Sequence, residues 1–325
     1  MSMLRAVPVA CGHYLPARVV ENAEFEATLD TSDEWIRSRS GIERRHFAAE
    51  GEATSDLAIA AARDALARSG LTGADIDAVI LATATPDQTF PATAVRVQAA
   101  IGMTGGYAFD VQAVCAGFVF ALAQADALVR AGLARRIMVI GAETFSRILD
   151  FTDRATCVLF GDGAGALILE AREQAGGAGD RGVLACDLNS DGRLTDLLYV
   201  DGGPSTTGTA GVVRMAGQEV FKHAVIKLAQ TGAVALARAG LTTADVDWLV
   251  PHQANLRIMT MTAQKLGVPM ERVVVTVRDH GNTSAASIPL ALSVAAADGR
   301  FRPGDLVLME AIGGGLSWGA AVMRW

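Results

Sequence analysis

The stretch that sets the fold is LARSGLTGADIDAVILATATP, which begins at Leu66 and returns 170 residues later as LARAGLTTADVDWLVPHQANL, beginning at Leu236. Each copy has the pattern of a helix end, a glycine stop, an Asp-rich turn and an apolar strand. Alanine-rich helices resemble one another by chance, but chance does not explain the shared GLTxAD(I/V)D followed by a β-branched run. The sequence therefore predicts an internal duplication of one α/β unit.

The repeat continues more loosely downstream, where a strand followed by an unusually uncharged helix occurs in each half. Matching Gly132 with Gly299 sets Cys115 opposite Asn282, so both residues are expected where a strand gives way to such a helix. One position would then carry a thiol and its counterpart an amide. This pairing predicts that the two residues lie near each other in the middle of the molecule.

A helix that is apolar on every side belongs in the centre of a protein and not on its surface. Two such helices, one in each half, predict a layered α/β/α/β/α sandwich with a shared central layer. The polar, Gly-rich stretch REQAGGAGDR (172–181) is the expected boundary. The predicted halves are therefore residues 1–172, with the thiol, and residues 173–325, with the histidine and the amide discussed below.

The composition is that of a globular protein with several fully buried elements. Among 325 residues, 51% are hydrophobic and 19% charged, and the net charge of −7 gives no overall attraction for nucleic acid. The longest uncharged stretches (111–125 and 281–297) are shorter than the roughly 20 apolar residues of a membrane span. We therefore expect a cytoplasmic protein without a membrane partner. Its four cysteines lack metal-ligand spacing, which predicts neither disulfides nor a metal site.

Cys115 lies between the strand-like FDVQAV and the helical AGFVFALAQ. A thiol at a helix N-terminus has a depressed pKa, because the backbone N–H groups and the helix dipole favour the thiolate. A free cysteine is also commonly a small buried hydrophobic residue. From its position alone, Cys115 is a candidate nucleophile with packing as the alternative.

Two further candidates follow strands in the C-terminal half. His252 comes just past the strand VDWLV, at the strand end where open α/β sheets bind ligands, and its counterpart in the first half is Ala82. Asn282, in DHGNTSAAS, suits a helix N-cap, but its amide can also donate a hydrogen bond to a thioester oxygen. We predict that both serve the site and that the adjacent His280 is structural.

Two glycine-rich motifs lead to different predictions. The run Gly313–Gly315 ends a strand, where glycine either makes a tight turn or lets a backbone N–H approach a substrate, as an oxyanion hole requires. GDGAGA, from Gly161, leads into the strand-like LILE and not into a helix. This order excludes a dinucleotide-binding fingerprint.

Two surface features have more than one interpretation. DTSDEW carries a capping box from Thr31 to Glu34, which predicts a helix start that places Trp35 either in the core or on an exposed stacking surface. Basic residues cluster in two segments of an otherwise acidic chain, either as a solvated face or as a partner site: Arg214, Lys222, Lys227, Arg257 and Lys265.

Several long motifs resemble the β-ketoacyl-acyl-carrier-protein synthase III family, the initiating condensing enzymes of bacterial fatty-acid synthesis. They cover essentially the whole chain: DTSDEWI with RSGI, the AxCAGF turn, TDR, FGDGAGA, AGQEVFK, DWLVPHQANLRI, HGNTSAAS and GGGLSWG. The resemblance implies the thiolase fold, which is a duplicated five-layer α/β sandwich, and a homodimer.

The resemblance also implies a chemistry. Cys115 would attack an acyl-CoA thioester and hold the acyl group, with its own N–H and that of Gly314 as the oxyanion hole. Malonyl-acyl-carrier protein would then enter, and His252 and Asn282 would stabilise the enolate formed as CO2 departs. The resulting carbanion would attack the acyl group and give a β-ketoacyl product. No permanently bound cofactor is implied, and coenzyme A enters as a substrate thioester.

Further positions match the family's binding surfaces. The residues implied to contact CoA are Thr31, Trp35, Arg39, Arg154, Gly217, Phe221 and Asn255. In this set, Trp35 and Arg154 would sandwich the adenine. The residues implied to dock the carrier protein are Lys222, Gln253, Ala254, Asn255, Leu256 and Arg257. Phe90 and Phe145 match acyl-pocket positions, with Phe90 reaching into the partner subunit, and imply a short primer such as acetyl or propionyl.

Related enzymes of different chemistry leave different marks in a sequence. A thiolase would need a second cysteine just before the C-terminal glycine run, where this chain has Ile312, and elongating ketosynthases have a histidine in place of Asn282. A non-enzymatic relative is expected to lack one of the three site residues. A secondary-metabolism relative with the same Cys-His-Asn set, making a quinolone or using another acyl acceptor, stays open.

Overall fold

A computed structural model of the chain describes residues 2–325 and shows the repeated segment folding the same way twice. In each copy an Asp carboxylate accepts a hydrogen bond from the N–H of a preceding Thr: Asp75 from Thr72 at 2.9 Å, and Asp245 from Thr242 at 2.8 Å. This cap closes one turn of 3-10 helix, and a buried strand follows. The GLTxAD motif is therefore a start signal for one strand in each half.

The elements alternate as in a duplicated α/β protein. The described helices are α1 (Ala23–Glu26), α2 (Asp33–Ser40), α3 (Thr54–Ser69), α4 (Thr93–Ala100), α5 (Gly117–Arg130), α6 (Gly217–Arg238), α7 (Leu256–Leu266), α8 (Val277–His280) and α9 (Ser287–Ala297). The described strands are β1 (Met3–Tyr14), β2 (Arg18–Glu21), β3 (Arg44–Phe47), β4 (Ala78–Ala82), β5 (Tyr107–Val111), β6 (Arg136–Glu143), β7 (Gly163–Gln174), β8 (Gly182–Ser190), β9 (Leu198–Val200), β10 (Val213–Met215), β11 (Trp248–Pro251), β12 (Leu306–Gly313) and β13 (Ser317–Arg324).

Two large sheets carry the fold. The first has the strand order β1-β7-β6-β4-β5, with β4 parallel to both β5 and β6. The second has the order β11-β12-β13-β8, with β11 parallel to β12. Every strand of the first sheet ends by Gln174, and every strand of the second begins at Gly182 or later. These memberships support the proposed halves, residues 1–172 and 173–325, whose boundary stays a prediction.

Helices α5 and α9 lie between the sheets, where a helix must be apolar on opposite faces. One continuous hydrophobic core joins them to the inner faces of both sheets, and Phe118, Leu122, Leu292 and Ile288 are buried in it. Helices α3 and α4 cover the outer face of the first sheet, and α6 covers the second sheet with α7 packed beside it. The predicted five-layer sandwich is confirmed. None of the helices within residues 2–325 combines the length and apolarity needed to cross a bilayer.

The starts of the central helices correct the predicted pairing of Cys115 with Asn282. Helix α5 begins at Gly117 and α9 at Ser287, which keeps the 170-residue offset, so the counterpart of Cys115 is Ala285. Helix α9 has 11 residues against 14 in α5, and the loop after it is correspondingly longer. Matching the glycines at the helix ends therefore shifts the pairing, although Asn282 still lies on the turn that precedes α9.

The 3-10 turns before these helices share an uncommon backbone conformation. Val114 (φ +48°) and Ser284 (φ +47°) are the non-glycine residues with positive φ in the part of the chain that the structure describes. This conformation costs about 1–3 kcal/mol in a residue with a Cβ and is rare for a β-branched side chain such as valine. The two strained turns contact each other at the centre of the molecule.

The strand expected before the uncharged helix of the second half does not form as a strand. The segment VVVTV (273–277) contributes a single parallel bridge, between Leu249 and Val273, and its last residue already begins α8. The amide of Gln253 accounts for this, because its Oε1 accepts the N–H groups of Thr276 and Val277, which a continuing strand would need for its ladder.

Candidate active site

Cys115 lies on the first strained turn, between β5 and α5, and is 3% exposed. Gly313, the last residue of β12, packs so closely against it that a Cβ on Gly313 would lie 2.7 Å from the Cys115 nitrogen. Because real Cβ atoms do not approach this closely, only glycine fits there. Gly314 follows directly, and its N–H together with that of Cys115 stays the predicted oxyanion hole.

Burial is the main reason that the pKa of the Cys115 thiol is raised to about 12. The Ser284 hydroxyl lowers this pKa, and the Glu143 carboxylate raises it further. The predicted depression of this pKa at a helix N-terminus is therefore wrong for the resting protein. Loss of hydration, which disfavours a buried thiolate, is the largest cause of this raised pKa. The thiol consequently needs a proton acceptor at the moment it reacts.

His252 follows β11 as predicted and is 4% exposed. Its N–H donates to the Glu310 carbonyl at 2.7 Å, which ties it to β12 just before the glycine run. Burial lowers the pKa of the His252 imidazole to about 3, so the ring is neutral and one ring nitrogen carries a proton to donate. Its Nδ1 is buried without a hydrogen-bond partner among residues 2–325.

Asn282 is buried and held through both its backbone and its side chain. Its N–H donates to the Leu159 carbonyl at 2.9 Å, and its carbonyl accepts from the Gly161 N–H at 3.0 Å. Its Oδ1 accepts from the Ser284 N–H at 3.0 Å, so the NH2 end of the amide is left to donate. The N-cap of α9 is Ala286, so capping that helix is not the role of Asn282.

These contacts gather the three predicted residues between the halves. Cys115 meets Ser284, which Asn282 anchors, and His252 is bonded to β12, whose end packs on Cys115. Within residues 2–325 no hydrogen bond joins the three to one another directly. A thiol beside an amide and a neutral imidazole suits covalent acyl transfer followed by hydrogen bonding to an enolate oxygen.

A buried carboxyl that the sequence analysis missed stands beside this site. Glu143, the last residue of β6, is fully buried, and burial raises the pKa of its carboxyl to about 7. It accepts hydrogen bonds of 2.6–3.4 Å from two hydroxyls and two backbone N–H groups: those of Thr83, Thr85, Ala84 and Ala285. The available signal was a glutamate at the end of the otherwise apolar run IMVIGAE, since unpaired Glu is rarely buried.

A cavity of about 1160 Å³ opens beside the nucleophile turn and is lined from both halves. It reaches Val114 and Gly314, and Phe145, a predicted acyl-pocket residue, lines it. Phe145 is buried and stacks on Phe160 with ring centroids 4.4 Å apart. Phe90 is 82% exposed and does not line the cavity of its own chain, so its place in a partner's pocket stays a prediction.

Trp35 lies half-buried on α2, and the guanidinium groups of two arginines lie close to its ring. The Arg154 and Arg39 guanidinium carbons are 5.2 Å and 5.9 Å from its ring centroid, within the range of cation–π contacts. Arg154 also donates to the backbone and carboxylate oxygens of Asp30. Helix α2 begins one residue later than the predicted capping box implied, since Ser32 is its N-cap.

The predicted docking residues divide into exposed and buried ones. Lys222 and Arg257 are exposed, and the Arg257 guanidinium carbon lies 5.4 Å from the Phe221 ring centroid. Gln253 is wrong as a docking residue, because it is 1% exposed and its amide is used inside the protein. Its hydrogen-bond partners are the backbone groups of Pro251, Val274, Thr276 and Val277.

The neighbours of Arg257 have local roles as well. Asn255 caps α7, its Oδ1 accepting from the N–H groups of Arg257 and Ile258 at 2.9 Å and 3.2 Å. Ala254 and Leu256 are partly buried, and Gly217, a predicted CoA contact, is the exposed first residue of α6. Thr31, also a predicted CoA contact, has a buried hydroxyl with no hydrogen-bond partner among residues 2–325.

Three members of the basic cluster are engaged within the chain, and one of them is the exposed Lys222, whose ammonium lies 2.6 Å from the Glu219 carboxylate. Arg214 pairs with Asp150 at 3.1 Å and with Asp201 at 2.8 Å. The Lys227 ammonium lies 3.7 Å from the Trp318 ring centroid. The positive patch available to a partner is accordingly reduced to the exposed faces of α6 and α7.

Comparisons with known proteins agree along the whole chain. The family model described as 3-oxoacyl-[acyl-carrier-protein (ACP)] synthase III matches residues 109–192, and the model of its C-terminal part matches residues 236–325. The chain is 69% identical over 321 residues to the β-ketoacyl-[acyl-carrier-protein] synthase III of Dinoroseobacter shibae, which covers 99% of each. It is 70% identical over 322 residues to that of Rhodobacter capsulatus, again covering 99% of each.

A crystal structure of 3-oxoacyl-[acyl-carrier-protein] synthase III from Aquifex aeolicus has a TM-score of 0.93 and 43% identity, over 98% of this chain and 100% of that one. Fold and site together define a thiolase-fold condensing enzyme, an acyltransferase. Within that class, the chain belongs to the β-ketoacyl-[acyl-carrier-protein] synthase III family.

Proposed function

We propose that this protein condenses a short acyl-CoA, acetyl-CoA above all, with malonyl-acyl-carrier protein and so starts fatty-acid synthesis. The products are CO2, free CoA and a β-ketoacyl-carrier protein. The observation that carries this proposal is a buried Cys115, in the same chain as a buried Asn282 amide whose NH2 end is left to donate and a buried, neutral His252. No resident cofactor takes part, since CoA enters and leaves with the substrate.

In the first half-reaction the Cys115 sulfur attacks the acyl thioester carbon, and the CoA sulfur leaves. The negative oxygen of the tetrahedral intermediate needs N–H donors held in a dry setting. The proposed donors are the N–H groups of Cys115 and Gly314. Gly313 supports them, because its packing against the Cys115 nitrogen fixes the distance between the nucleophile turn and the glycine run.

In the second half-reaction the malonyl thioester loses CO2 and becomes an enolate. His252 and Asn282 would donate hydrogen bonds to its oxygen, because donors fixed where negative charge develops stabilise the transition state. Burial keeps the His252 pKa low, so this donor state holds throughout the neutral range. The enolate carbon then attacks the acyl group, and the thiol is freed.

The proposed CoA site begins at Trp35, which Arg39 and Arg154 flank. An aromatic ring and a guanidinium plane offer an adenine two stacking faces, and the spare positive charge suits the phosphates. Gly217, Phe221 and Asn255 are the proposed contacts along the pantetheine arm.

The proposed acyl pocket and homodimer depend on each other. Phe145 is a wall of the cavity that reaches the nucleophile turn, while the bulky Phe90 is left largely in solvent by a single chain. Aromatic side chains are enriched at protein interfaces, so the proposed dimer interface would suit Phe90. We propose that Phe90 closes the pocket of a partner subunit and thereby limits the acyl chain to a short primer.

A panel of acyl-CoAs tests the proposed function. We expect acetyl- and propionyl-CoA with malonyl-carrier protein to give the matching β-ketoacyl-carrier protein, identified by its mass, with little product from octanoyl-CoA. Equal loading of octanoyl- and acetyl-CoA would contradict the short-primer assignment. A condensed product released free, or attached to another acceptor, would favour the secondary-metabolism alternative.

Arg257→Glu is expected to weaken the reaction with malonyl-carrier protein and not the acylation by acyl-CoA. The substitution reverses an exposed charge on α7 that would meet an acidic partner, so KM for the carrier protein should rise about tenfold at low salt and less at high salt. Initial rates at several salt concentrations measure this. The control Arg63→Glu makes the same charge change on α3, in the opposite outer layer, and should leave KM unchanged.

A further inference from the structure

The Ser284 hydroxyl occupies an unusual place in this site. It is fully buried, yet its Oγ has no hydrogen-bond partner within residues 2–325. The turn that carries Ser284 contacts the turn that carries Cys115, and the neighbouring Ala285 N–H donates to Glu143 at 3.4 Å. The hydroxyl lies near both groups and lowers the pKa of both the Cys115 thiol and the Glu143 carboxyl. A buried hydroxyl with no hydrogen-bond partner, on a residue with positive φ, indicates a role other than packing.

The Glu143 carboxyl faces this hydroxyl from a fixed position. Its Oε2 accepts from the Thr85 hydroxyl at 2.6 Å and the Thr83 hydroxyl at 3.2 Å, which attach it to the segment after β4. Its Oε1 has only backbone donors, Ala84 at 3.2 Å and Ala285 at 3.4 Å. The carboxyl is therefore held mainly through Oε2, and Oε1 has fewer and longer hydrogen bonds.

Other groups near the thiol are poor proton acceptors. Glu143 is the ionisable residue whose charge acts on the Cys115 thiol, and no second carboxylate or basic side chain adds to it within residues 2–325. No hydrogen bond joins His252 to Cys115 in that same range, and burial makes its imidazole a weak base. The buried thiol thus has one titratable neighbour, and the turn that carries the Ser284 hydroxyl contacts both.

We propose that Glu143 accepts the proton of the Cys115 thiol through the Ser284 hydroxyl when the acyl group is loaded. The thiol proton passes to the Ser284 Oγ as the hydroxyl's own proton passes to Glu143, and the sulfur forms its bond to the thioester carbon. As the bond from that carbon to the CoA sulfur breaks, the proton returns by the same route to the leaving thiolate. Glu143 and Ser284 end the step as they began it.

The opposite expectation follows if Glu143 is only a buried negative charge. A carboxylate near the thiol disfavours the thiolate, so its removal would lower the thiol pKa and speed every reaction of Cys115. If Glu143 takes the proton, its removal slows those reactions instead. The sign of the effect therefore separates proton transfer from simple electrostatics.

The test measures the rate at which iodoacetamide alkylates Cys115 between pH 5 and pH 9 in the full-length protein. The wild-type rate should rise near pH 7, because Glu143 accepts a proton only when ionised and the pKa of its carboxyl is about 7. Glu143→Gln and Ser284→Ala should each lose that rise and react about tenfold or more slowly at pH 8. Glu143→Asp should recover part of the rate.

The acylation step rests on the proposed function, whereas alkylation needs no acyl donor, so the two assays can fail separately. Single-turnover loading from acetyl-CoA should slow in both variants by a similar factor, with unchanged affinity for acetyl-CoA. The control Asp126→Asn neutralises another buried carboxyl, on α5, and should leave the alkylation profile unchanged.

Faster alkylation of Glu143→Gln at neutral pH would overturn the proposal, as would an unchanged profile. Normal alkylation of Ser284→Ala would overturn the route through the hydroxyl. Because the two substitutions lie on different elements, the end of β6 and the turn before α9, failure of one variant to fold leaves the other as the test.

Discussion

Cys115→Ser is expected to abolish transfer of radiolabelled acetyl from acetyl-CoA to the protein, a loss of at least about a thousandfold in the acylation rate. Serine keeps the size of the side chain on a strained turn, so the packing of Gly313 is preserved. A hydroxyl is a far weaker acid and nucleophile than a thiol, and no histidine is hydrogen-bonded to this position, within residues 2–325, to compensate. Protein-bound radioactivity after a brief incubation measures the effect.

The matched control for this substitution is Cys11→Ser. Cys11 is also buried, on β1, and burial likewise raises the pKa of its thiol to about 12. Its replacement should leave labelling unchanged. Full labelling of Cys115→Ser, in a protein whose unfolding temperature matches that of the wild type, would remove Cys115 from the role of nucleophile.

His252→Ala and Asn282→Ala are expected to become acylated but to fail in the second half-reaction. Each substitution removes one donor to the enolate oxygen, and loss of one such donor slows a reaction about 100- to 1000-fold. Release of labelled CO2 from malonyl-carrier protein measures the decarboxylation, and acetyl labelling of the same preparations measures the first step. Normal CO2 release by both variants would contradict the assignment.

Asn282 requires a second variant, because its Oδ1 also holds the Ser284 N–H. Asn282→Asp keeps that acceptor and removes the NH2 donor. If the donor is what matters, this variant should lose CO2 release as Asn282→Ala does. Recovery of activity in the aspartate variant would show instead that Asn282 only shapes the turn.

The fold was predictable because its signals are local. The Thr–Asp caps at 72–75 and 242–245 act within one turn, and the apolar strands follow them directly. The uncharged central helices likewise reveal their burial in their own composition. The exact pairing of Cys115 was not predictable, because α9 is shorter and its following loop longer, a difference that leaves no mark at the helix start.

The site was predictable in its residue types but not in its electrostatics. The pKa of the Cys115 thiol follows from complete burial and from Glu143, which is brought near by the neighbouring strands β4 and β6. Ser284 likewise meets these groups only through the contact between the two halves. Gln253 shows the converse, since an apparently exposed polar run contains one amide that the fold turns inward.

The fit of Gly313 against the Cys115 nitrogen limits how the chain can be engineered. A gene encoding either half alone would supply a nucleophile without its backing, or a backing without its nucleophile. The nucleophile and the glycine that supports it therefore form one unit built from both halves of the chain. Attempts to exchange halves between relatives must carry this glycine and its cysteine as one inseparable part.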